Sequence, residues 1–501
     1  MRKAQKIGIL IVLVSATIGF PAWCARPADP SEAPRPAATG AVRLSLDEAT
    51  RLALVNNFDI QLAKYDTWIS RTRQRGDESV YDTLIDILVS HEDNQAARTS
   101  TLLGTKSLEN NYNLGISRKL PTGTTLGIDF DNNRSWSNSS FVTVNPSHDS
   151  SLGLTIEQEF GKNFFGVQDR GKIKVTRKEI EGAEFLSLNN IETSLAQVQK
   201  AYWDLVLQTE RVTIEEKMLS QAKKLWDTNK EKIRHKLIEE PELLASEANY
   251  KERQNALGLA RDQQESAANI LKLLLNIDNL DSSLGATEGF DLSVALHPEA
   301  DALETAFDNR RDYRAARARL AAKNIQVTIE KNNMWPEINV KATLTHNGVD
   351  DHFSKAIEKI THESNPDLYT EFTLTMPLEN NEARADLQAA QFEKARAIVT
   401  LKQLERRIMV DVMDQTRHCR VMKELARNAV QIADLQNRKL RAEEKRFRSG
   451  RSDTDTIIRF QDDAAQAAWR AAEAKYRFHT SLVDLKKTEG RLLHQYWDGA
   501  I

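Results

Sequence analysis

The sequence predicts a mostly helical α+β protein that is internally duplicated, with long antiparallel coiled-coil helices and several strands. Three observations predict this class: a motif near the start recurs in the second half, strand-like alternation follows it both times, and long helical patterns then follow the strands. Charged residues make up 28% of the 501 residues and the mean hydropathy is −0.52. This composition fits long helices with solvated faces.

The chain begins with the features of a secretory signal peptide over residues 1–24. Basic residues precede an apolar segment, residues 7–20, that is too short to span a membrane as a helix. Ala22, Trp23 and Cys24 fit a small-x-small cleavage site, whereas lipidation of Cys24 would need a small residue in place of Trp23 and is the less favoured alternative. We therefore expect the protein to leave the cytoplasm, with a flexible leader over residues 25–42.

The duplication is seen when residues 46–59 are compared with residues 299–312. At one constant offset, Ala49, Ala53, Asn56 and Asp59 match Ala302, Ala306, Asn309 and Asp312. The sequence therefore divides into a first structural repeat (43–276), a linker (277–298), a second structural repeat (299–497) and a C-terminal tail (498–501).

Alternating apolar and polar residues predict strands in both repeats. In the second repeat, residues 338–345 and 369–378 alternate on either side of a polar run that we expect to be a loop. The first repeat contains more candidate strands, and the sequence leaves open which of them join one sheet. These candidates lie within residues 83–90, 111–120, 125–131 and 151–160. Strands with one apolar and one polar face suit either a half-buried sheet or a transmembrane barrel.

Two long helical patterns follow the strands in each repeat. They cover residues 170–236 and 242–276 in the first repeat, and residues 382–447 and 451–489 in the second. Apolar residues, many of them alanine, recur at spacings of three and four, which is typical of helices that pack closely along their length. We expect one antiparallel helical hairpin in each repeat.

Together these features resemble TolC-type outer-membrane efflux proteins. The resemblance is carried by residues 44–57, 335–344, 372–390 and 447–468, the last of which read FRSGRSDTDTIIRFQDDAAQAA. In that family three protomers pool their strands into one outer-membrane β-barrel, and their helices form a periplasmic α-barrel. The resemblance implies a homotrimer in the outer membrane of a Gram-negative bacterium, in contact with outer-membrane lipid and with a large periplasmic part.

The resemblance also implies the function. Such a protein is the outer-membrane channel of a tripartite efflux or type I secretion system. It passively conducts solutes to the exterior from a periplasmic adaptor, also called a membrane fusion protein, and an inner-membrane pump of the RND, ABC or another class.

The turn between the last two helical patterns is expected to be a periplasmic tip. Gly450 matches the family's tip glycine and can end a helix in the left-handed conformation, while Ser452 with Asp455 has the form of a capping box. The resemblance implies that adaptor docking involves the two tips. The docking candidates are Gly450, Arg451 and Ser452 in the second repeat, and His235 and Lys236 in the first.

The same turn is the expected resting gate. By position after Gly450, the family's acidic constriction falls on Thr456 and Arg459, with Asp453 and Asp455 close by. Threefold symmetry would make a ring of three like charges from any one of these aspartates. The alternative is that Asp453 and Asp455 only cap the helix that begins there.

Other patterns predict no catalytic or metal site. The run HNGVDDH, residues 346–352, contains divalent-cation ligand types, but an exposed loop would not fix their geometry. We find no phosphate-binding glycine loop, nucleophile elbow or HExxH motif in the sequence. We therefore expect no enzyme and no cofactor, and the net charge of −3 indicates no nucleic-acid partner.

A periplasmic coiled-coil scaffold or adaptor without a membrane barrel is the alternative function. An adaptor would be expected to contain one helical hairpin, so the two hairpins of this chain favour the channel.

Overall fold

The computed structural model describes residues 42–97, 104–277, 283–363, 365–494 and 496. The expected signal peptide with Cys24, the leader up to residue 41, part of the linker and the C-terminal tail lie outside the described residues. Within the described ranges, no helix has both the length and the apolar character that crossing a membrane requires.

The helices and strands follow the order expected of a duplicated chain. The predicted first repeat contains β1 (Val42–Leu44), α1 (Leu46–Asn56), α2 (Phe58–Glu78), β2 (Thr83–Asn94), β3 (Ser107–Lys119), β4 (Thr124–Ser137), β5 (Ser147–Glu159), α3 (Val167–Arg234) and α4 (Glu240–Leu275). After β6 (Leu284–Ala286), the second contains α5 (Glu299–Asn309), α6 (Arg311–Asn333), β7 (Glu337–Asp350), α7 (Phe353–His362), β8 (Pro366–Thr375), α8 (Asn381–Arg448) and α9 (Thr454–Thr488).

The candidate strands of both repeats form one antiparallel sheet in the order β2-β3-β4-β5-β7-β8. The pairing of β5 with β7 joins the two repeats, with Leu154 opposite Leu344. β2 and β8 are the edges of the sheet. The first repeat therefore contributes four strands and the second contributes two, which answers the question that the sequence left open.

One side of this sheet, which we call the apolar face, carries aliphatic and aromatic side chains. Because side chains alternate along each strand, the register places a consistent set on this side. The apolar face consists of Ile85, Ile87, Val89, Tyr112, Leu114, Ile116, Leu126, Ile128, Phe130, Leu152, Leu154, Ile156, Leu344, Phe372 and Leu374. Most of these side chains are exposed in the single chain, and the opposite face is mainly polar.

The polar run between β7 and β8 is not the loop that the sequence predicts. β7 continues to Asp350, and α7 follows it and packs against β7 and β5. Ala356 and Ile360, one helical turn apart, are buried against the sheet, while the outward positions are polar. The loop prediction is wrong because the polar content of the run hides the helical spacing of its few apolar residues.

The four longest helices form two antiparallel hairpins, α3 with α4 and α8 with α9, as the sequence predicts. α3 and α8 contain 68 residues each, which gives a length on the order of 100 Å. α3 also packs against α9, so the two hairpins lie side by side. Buried residues recur along α8 at the predicted spacing: Val412, Cys419, Ala426, Leu440 and Phe447.

The largest core surrounds the middle of α3, where Tyr202 and Leu205 are fully buried. A buried ion pair fastens this region to the second repeat. Glu192 lies 2.6 Å from Arg311 Nη1, and its other oxygen accepts the N–H of Leu492 at 2.9 Å. Burial raises the pKa of Glu192, although Arg311 acts in the opposite direction. These bonds hold the segment after α9 against both α3 and the start of α6.

Candidate functional site at the hairpin tips

Both hairpins end in the same backbone conformation, although only one of them contains glycine. Gly450 has φ +70°, and the N–H of Arg451 bonds the carbonyl of Arg446 at 2.9 Å. In the first hairpin Lys236 has φ +56°, and the N–H of Leu237 bonds the carbonyl of Lys232 at 2.9 Å. Each helix therefore ends in a left-handed cap, which glycine adopts without strain and lysine does not.

The helix that returns from the second tip is capped by Asp453. Its carboxylate accepts the N–H of Thr456 at 2.7 Å and the Thr456 hydroxyl at 3.1 Å. The bond from the Thr456 N–H, and to a lesser extent that from its hydroxyl, lowers the pKa of Asp453. The predicted capping box of Ser452 with Asp455 is wrong, because Ser452 lies one residue before the N-cap. Asp453 is the observed N-cap, and the gate at this turn stays a prediction.

The other sequence-predicted tip residues lie at the surface. His235 and Lys236 are exposed in the first turn, and Gly450 and Arg451 are exposed in the second. In α9, Asp455 and Arg459 are exposed and Thr456 is half-buried. The described structure thus brings Asp453 and Thr456 into direct contact, while Asp455 and Arg459 point outward in the first turns of the same helix.

A buried polar cluster, not predicted from the sequence, connects the two tips. We call Asn229, Glu242 and Thr454 the tip network. The Thr454 hydroxyl donates to Glu242 Oε2 at 2.8 Å, and Asn229 Nδ2 donates to Thr454 Oγ1 at 3.1 Å. Asn229 and Thr454 are fully buried. Asn229 and Glu242 belong to the first hairpin and Thr454 to the second, so these bonds join the two hairpins. The pairing offsets the cost of burying these polar groups.

Charged side chains reinforce this connection further along the hairpins. Arg253 on α4 forms an ion pair with Asp462 on α9 and also lies 3.9 Å from Glu215. Lys232 on α3 places its ammonium 3.8 Å from the ring centre of Phe447 on α8, a cation–π contact. The two hairpins of one chain are therefore linked by polar, ionic and aromatic contacts near their tips.

The possible metal ligands of the HNGVDDH run are partly brought together. Ligand atoms of Asp350, Asp351 and His352 lie within 4.8 Å of one another, between β7 and α7. Lys359 Nζ lies 2.9 Å from Asp350 Oδ2 and Lys355 Nζ lies 3.5 Å from Asp351 Oδ1. The two lysines already compensate the carboxylate charges, so the geometry does not call for a cation.

Residues 302–491 match the family model described as "Outer membrane efflux protein". The match covers less than half of the chain and lies within its second half. The resemblance that the sequence indicates is therefore confirmed over these residues. No curated protein matches the chain significantly.

Solved structures show that the chain shares its fold with known outer membrane channels. The Campylobacter jejuni CmeC outer membrane channel is similar with a TM-score of 0.65 and 16% identity, covering 89% of this chain and 85% of CmeC. The Neisseria gonorrhoeae MtrE outer membrane channel, in its open state, gives 0.65 and 14%, covering 89% and 88%. The Vibrio cholerae outer membrane protein VceC gives 0.63 and 13%, covering 89% and 96%. At these identities the likeness shows the fold, and the predicted fold class is confirmed.

Proposed function

We propose that this chain is an outer membrane efflux protein, three copies of which form a passive channel of a tripartite efflux or type I secretion system. Solutes would enter from an inner-membrane pump through a periplasmic adaptor and leave through the outer membrane. The proposal assigns the chain no catalysis and no cofactor, so the pump supplies the energy. The chemical nature of the exported solutes follows from the pump and not from this chain.

The exposed apolar face of the sheet is the observation that carries this proposal. Ile87 is 73% exposed, Phe372 67% and Leu154 50%. Placing such a surface in water costs roughly 25 cal/mol per Å² of apolar area, whereas lipid accepts it. A water-soluble periplasmic scaffold, the alternative function, would leave this face in water, so the sheet favours the channel.

The open edges of the sheet support a closed trimer. Among the described residues, β2 and β8 each pair on one side only. Inside a bilayer every backbone polar group needs a partner, so lone edges are not tolerated there. Pairing β8 of one protomer with β2 of the next satisfies both edges, and three sheets close into one barrel.

The tips supply the proposed docking site and gate. Gly450, Arg451, His235 and Lys236 are exposed in the two turns and would present groups to an adaptor, while Ser452, also a docking candidate, is half-buried with its hydroxyl buried. The proposed gate is the start of α9, where Asp453, Asp455, Thr456 and Arg459 would be repeated three times around the pore axis. The tip network restrains this region at rest because it ties α9 to the first hairpin.

Fractionation of cells that produce the full-length chain tests the proposal. The outer-membrane fraction is run on a denaturing gel with and without boiling, and the purified protein is added to planar bilayers. A band that changes from trimer to monomer on boiling, together with stepwise conductance, is expected. A protein found only in the soluble periplasm would overturn the channel. A Cys24→Ala variant run in parallel shows whether lipidation contributes to the location.

A further inference from the structure

Helix α7 lies on the side of the sheet that faces lipid in the proposed channel. Ala356 is fully buried and Ile360 nearly so, both against the strands. The helix approaches β7 so closely at Gly348 that a Cβ there would lie 2.3 Å from the carbonyl oxygen of Ala356. Glycine is the only residue that permits this contact, so α7 is docked onto the sheet.

The side on which α7 lies follows from its neighbours. The ring of Phe353 is 6.5 Å from that of Phe130 and 6.0 Å from that of His148, measured between centroids. Phe130 pairs with Leu152, and Gly348 pairs with Ser150 two residues further along β5. Since residues two apart in a strand share a face, α7 covers a continuation of the apolar face.

Along β5, the side chains on the apolar face change from apolar and exposed to polar and buried where α7 covers the strand. Along β5, Ile156, Leu154 and Leu152 are exposed apolar side chains. The next residue on the same face, Ser150, is fully buried, and its hydroxyl donates to Asn132 Oδ1 at 2.8 Å. Along β5 the exposed apolar side chains therefore end at Leu152, and α7 packs over the polar position Ser150 beyond them.

The outward side of α7 cannot lie in hydrocarbon. Lys355, Glu358 and His362 are exposed on it, and a charged side chain in the bilayer core costs several kcal/mol. Yet Leu152, in contact with hydrocarbon in the proposed channel, is only two residues along β5 from the covered Ser150. A polar outward helix next to an apolar surface fits the phosphate-rich boundary between hydrocarbon and water.

We propose that α7 lies in the phosphate headgroup layer of the outer leaflet and fixes the depth of the sheet in the membrane. This inference rests on the proposed membrane channel. Lys355 lies on the outward side of the helix with its side chain 58% exposed, so it would reach the headgroup layer while its Nζ stays 3.5 Å from Asp351 Oδ1 and 3.8 Å from Asp350 Oδ1.

Spin labels on the full-length channel in phospholipid vesicles test this position. Single cysteines are introduced at three exposed sites: Glu358→Cys on α7, Leu154→Cys on the apolar face and Arg451→Cys at the tip. Collision rates with oxygen, which concentrates in hydrocarbon, and with a water-soluble nickel chelate give the depth of each label. Wild-type protein taken through the same labelling reports any background from Cys419, which is buried.

We expect the label at position 154 to collide mainly with oxygen, the label at 451 mainly with nickel, and the label at 358 to fall between them. Adding Gly348→Val to Glu358→Cys should undock the helix and raise the nickel collision rate several-fold. If 154 reads as lipid and 358 reads the same as 451, α7 projects into water and this inference fails while the channel stands. If 154 itself reads as water, the proposed channel fails.

Discussion

At the scale of single residues, Thr454 holds the two tips together with one hydroxyl. It donates to Glu242 and accepts from Asn229, all within a buried contact between hairpins. A Thr454→Val variant keeps the shape but removes both bonds: Glu242 Oε2 loses this donor, and Asn229 Nδ2 keeps only a long bond of 3.4 Å to the carbonyl of Glu242. We expect a loss of about 1–3 kcal/mol in the free energy of unfolding, because a buried group without its partner bears the cost of desolvation.

The measurement for Thr454→Val is the thermal midpoint of the helical circular dichroism signal in detergent. The matched control is Thr400→Val, since the Thr400 hydroxyl bonds only a carbonyl of its own helix, that of Arg396. The control should leave the midpoint almost unchanged. Equal midpoints for the two variants would show that the tip network contributes nothing to stability.

A second residue-scale prediction concerns pH and the buried His479. Burial lowers the pKa of His479 to about 4, and its Nε2 accepts the N–H of Asp291 at 3.1 Å. Between about pH 6.5 and pH 4, the unfolded chain, with a histidine pKa of about 6.5, therefore binds a proton at this residue and the folded chain does not. The contribution of neutral His479 to the free energy of unfolding is therefore fully present above pH 6.5, and it is lost as the pH falls from about 6.5 to about 4.

A His479→Gln variant should retain the accepted hydrogen bond and lose this pH dependence. We expect the thermal midpoint of the wild type to fall between pH 7 and pH 5, and that of the variant to fall less. His418→Gln, at an exposed position on α8, is the control and should follow the wild type. A variant with the full wild-type slope would assign the dependence to other groups.

At the scale of elements, the helices were the easiest part to predict and the contacts between them were the hardest. Alanine-rich spacing and the absence of glycine and proline define α8 and α9 within a few residues of their observed ends. The tip network joins residues 225 positions apart, Asn229 and Thr454, and single polar residues in a helix carry no signal of such a partner. Tertiary pairing, not local pattern, creates that part of the site.

The caps show the same division between local and distant information. Gly450 was predictable because glycine is the usual residue in a left-handed cap. The same cap at Lys236 was not, since lysine gives no such indication. At the N-cap, two candidates stood side by side in the sequence, Ser452 and Asp453, and the structure places the cap on the second.

Substitutions at the two left-handed caps are expected to change the free energy of unfolding in opposite directions. Lys236→Gly removes left-handed strain and should raise the free energy of unfolding by up to about 1 kcal/mol. Gly450→Ala introduces the same strain, since alanine is disfavoured at φ +70°, and should lower the free energy of unfolding by about 1 kcal/mol. No neighbouring atom lies within 4 Å of the added methyl group, so no steric clash adds to this effect. Thermal midpoints of the two variants measure this, and shifts of the same sign would contradict it.

At the scale of the whole molecule, the polar face of the sheet sets the charge of the proposed pore. In a barrel whose apolar face meets lipid, the opposite face lines the interior. Acidic residues dominate that face: Asp86, Asp129, Asp131, Asp149, Glu157, Asp367 and Glu371. Lys341 lies between Glu157 and Glu371 in the register. Three copies of this face would give a strongly negative interior.

The acidic interior predicts a channel that favours cations. With a potassium chloride gradient across a planar bilayer, the reversal potential should show greater permeability for potassium than for chloride, because the fixed negative charges concentrate cations and exclude anions. The double variant Asp129→Asn and Asp131→Asn should reduce this preference. Asp93→Asn, on the other side of β2, is the control and should not change it, since Asp93 shares its face with Val89. A reversal potential near zero in the wild type would mean that the acidic face does not line the conducting path, and the assignment of the two faces would have to be reversed.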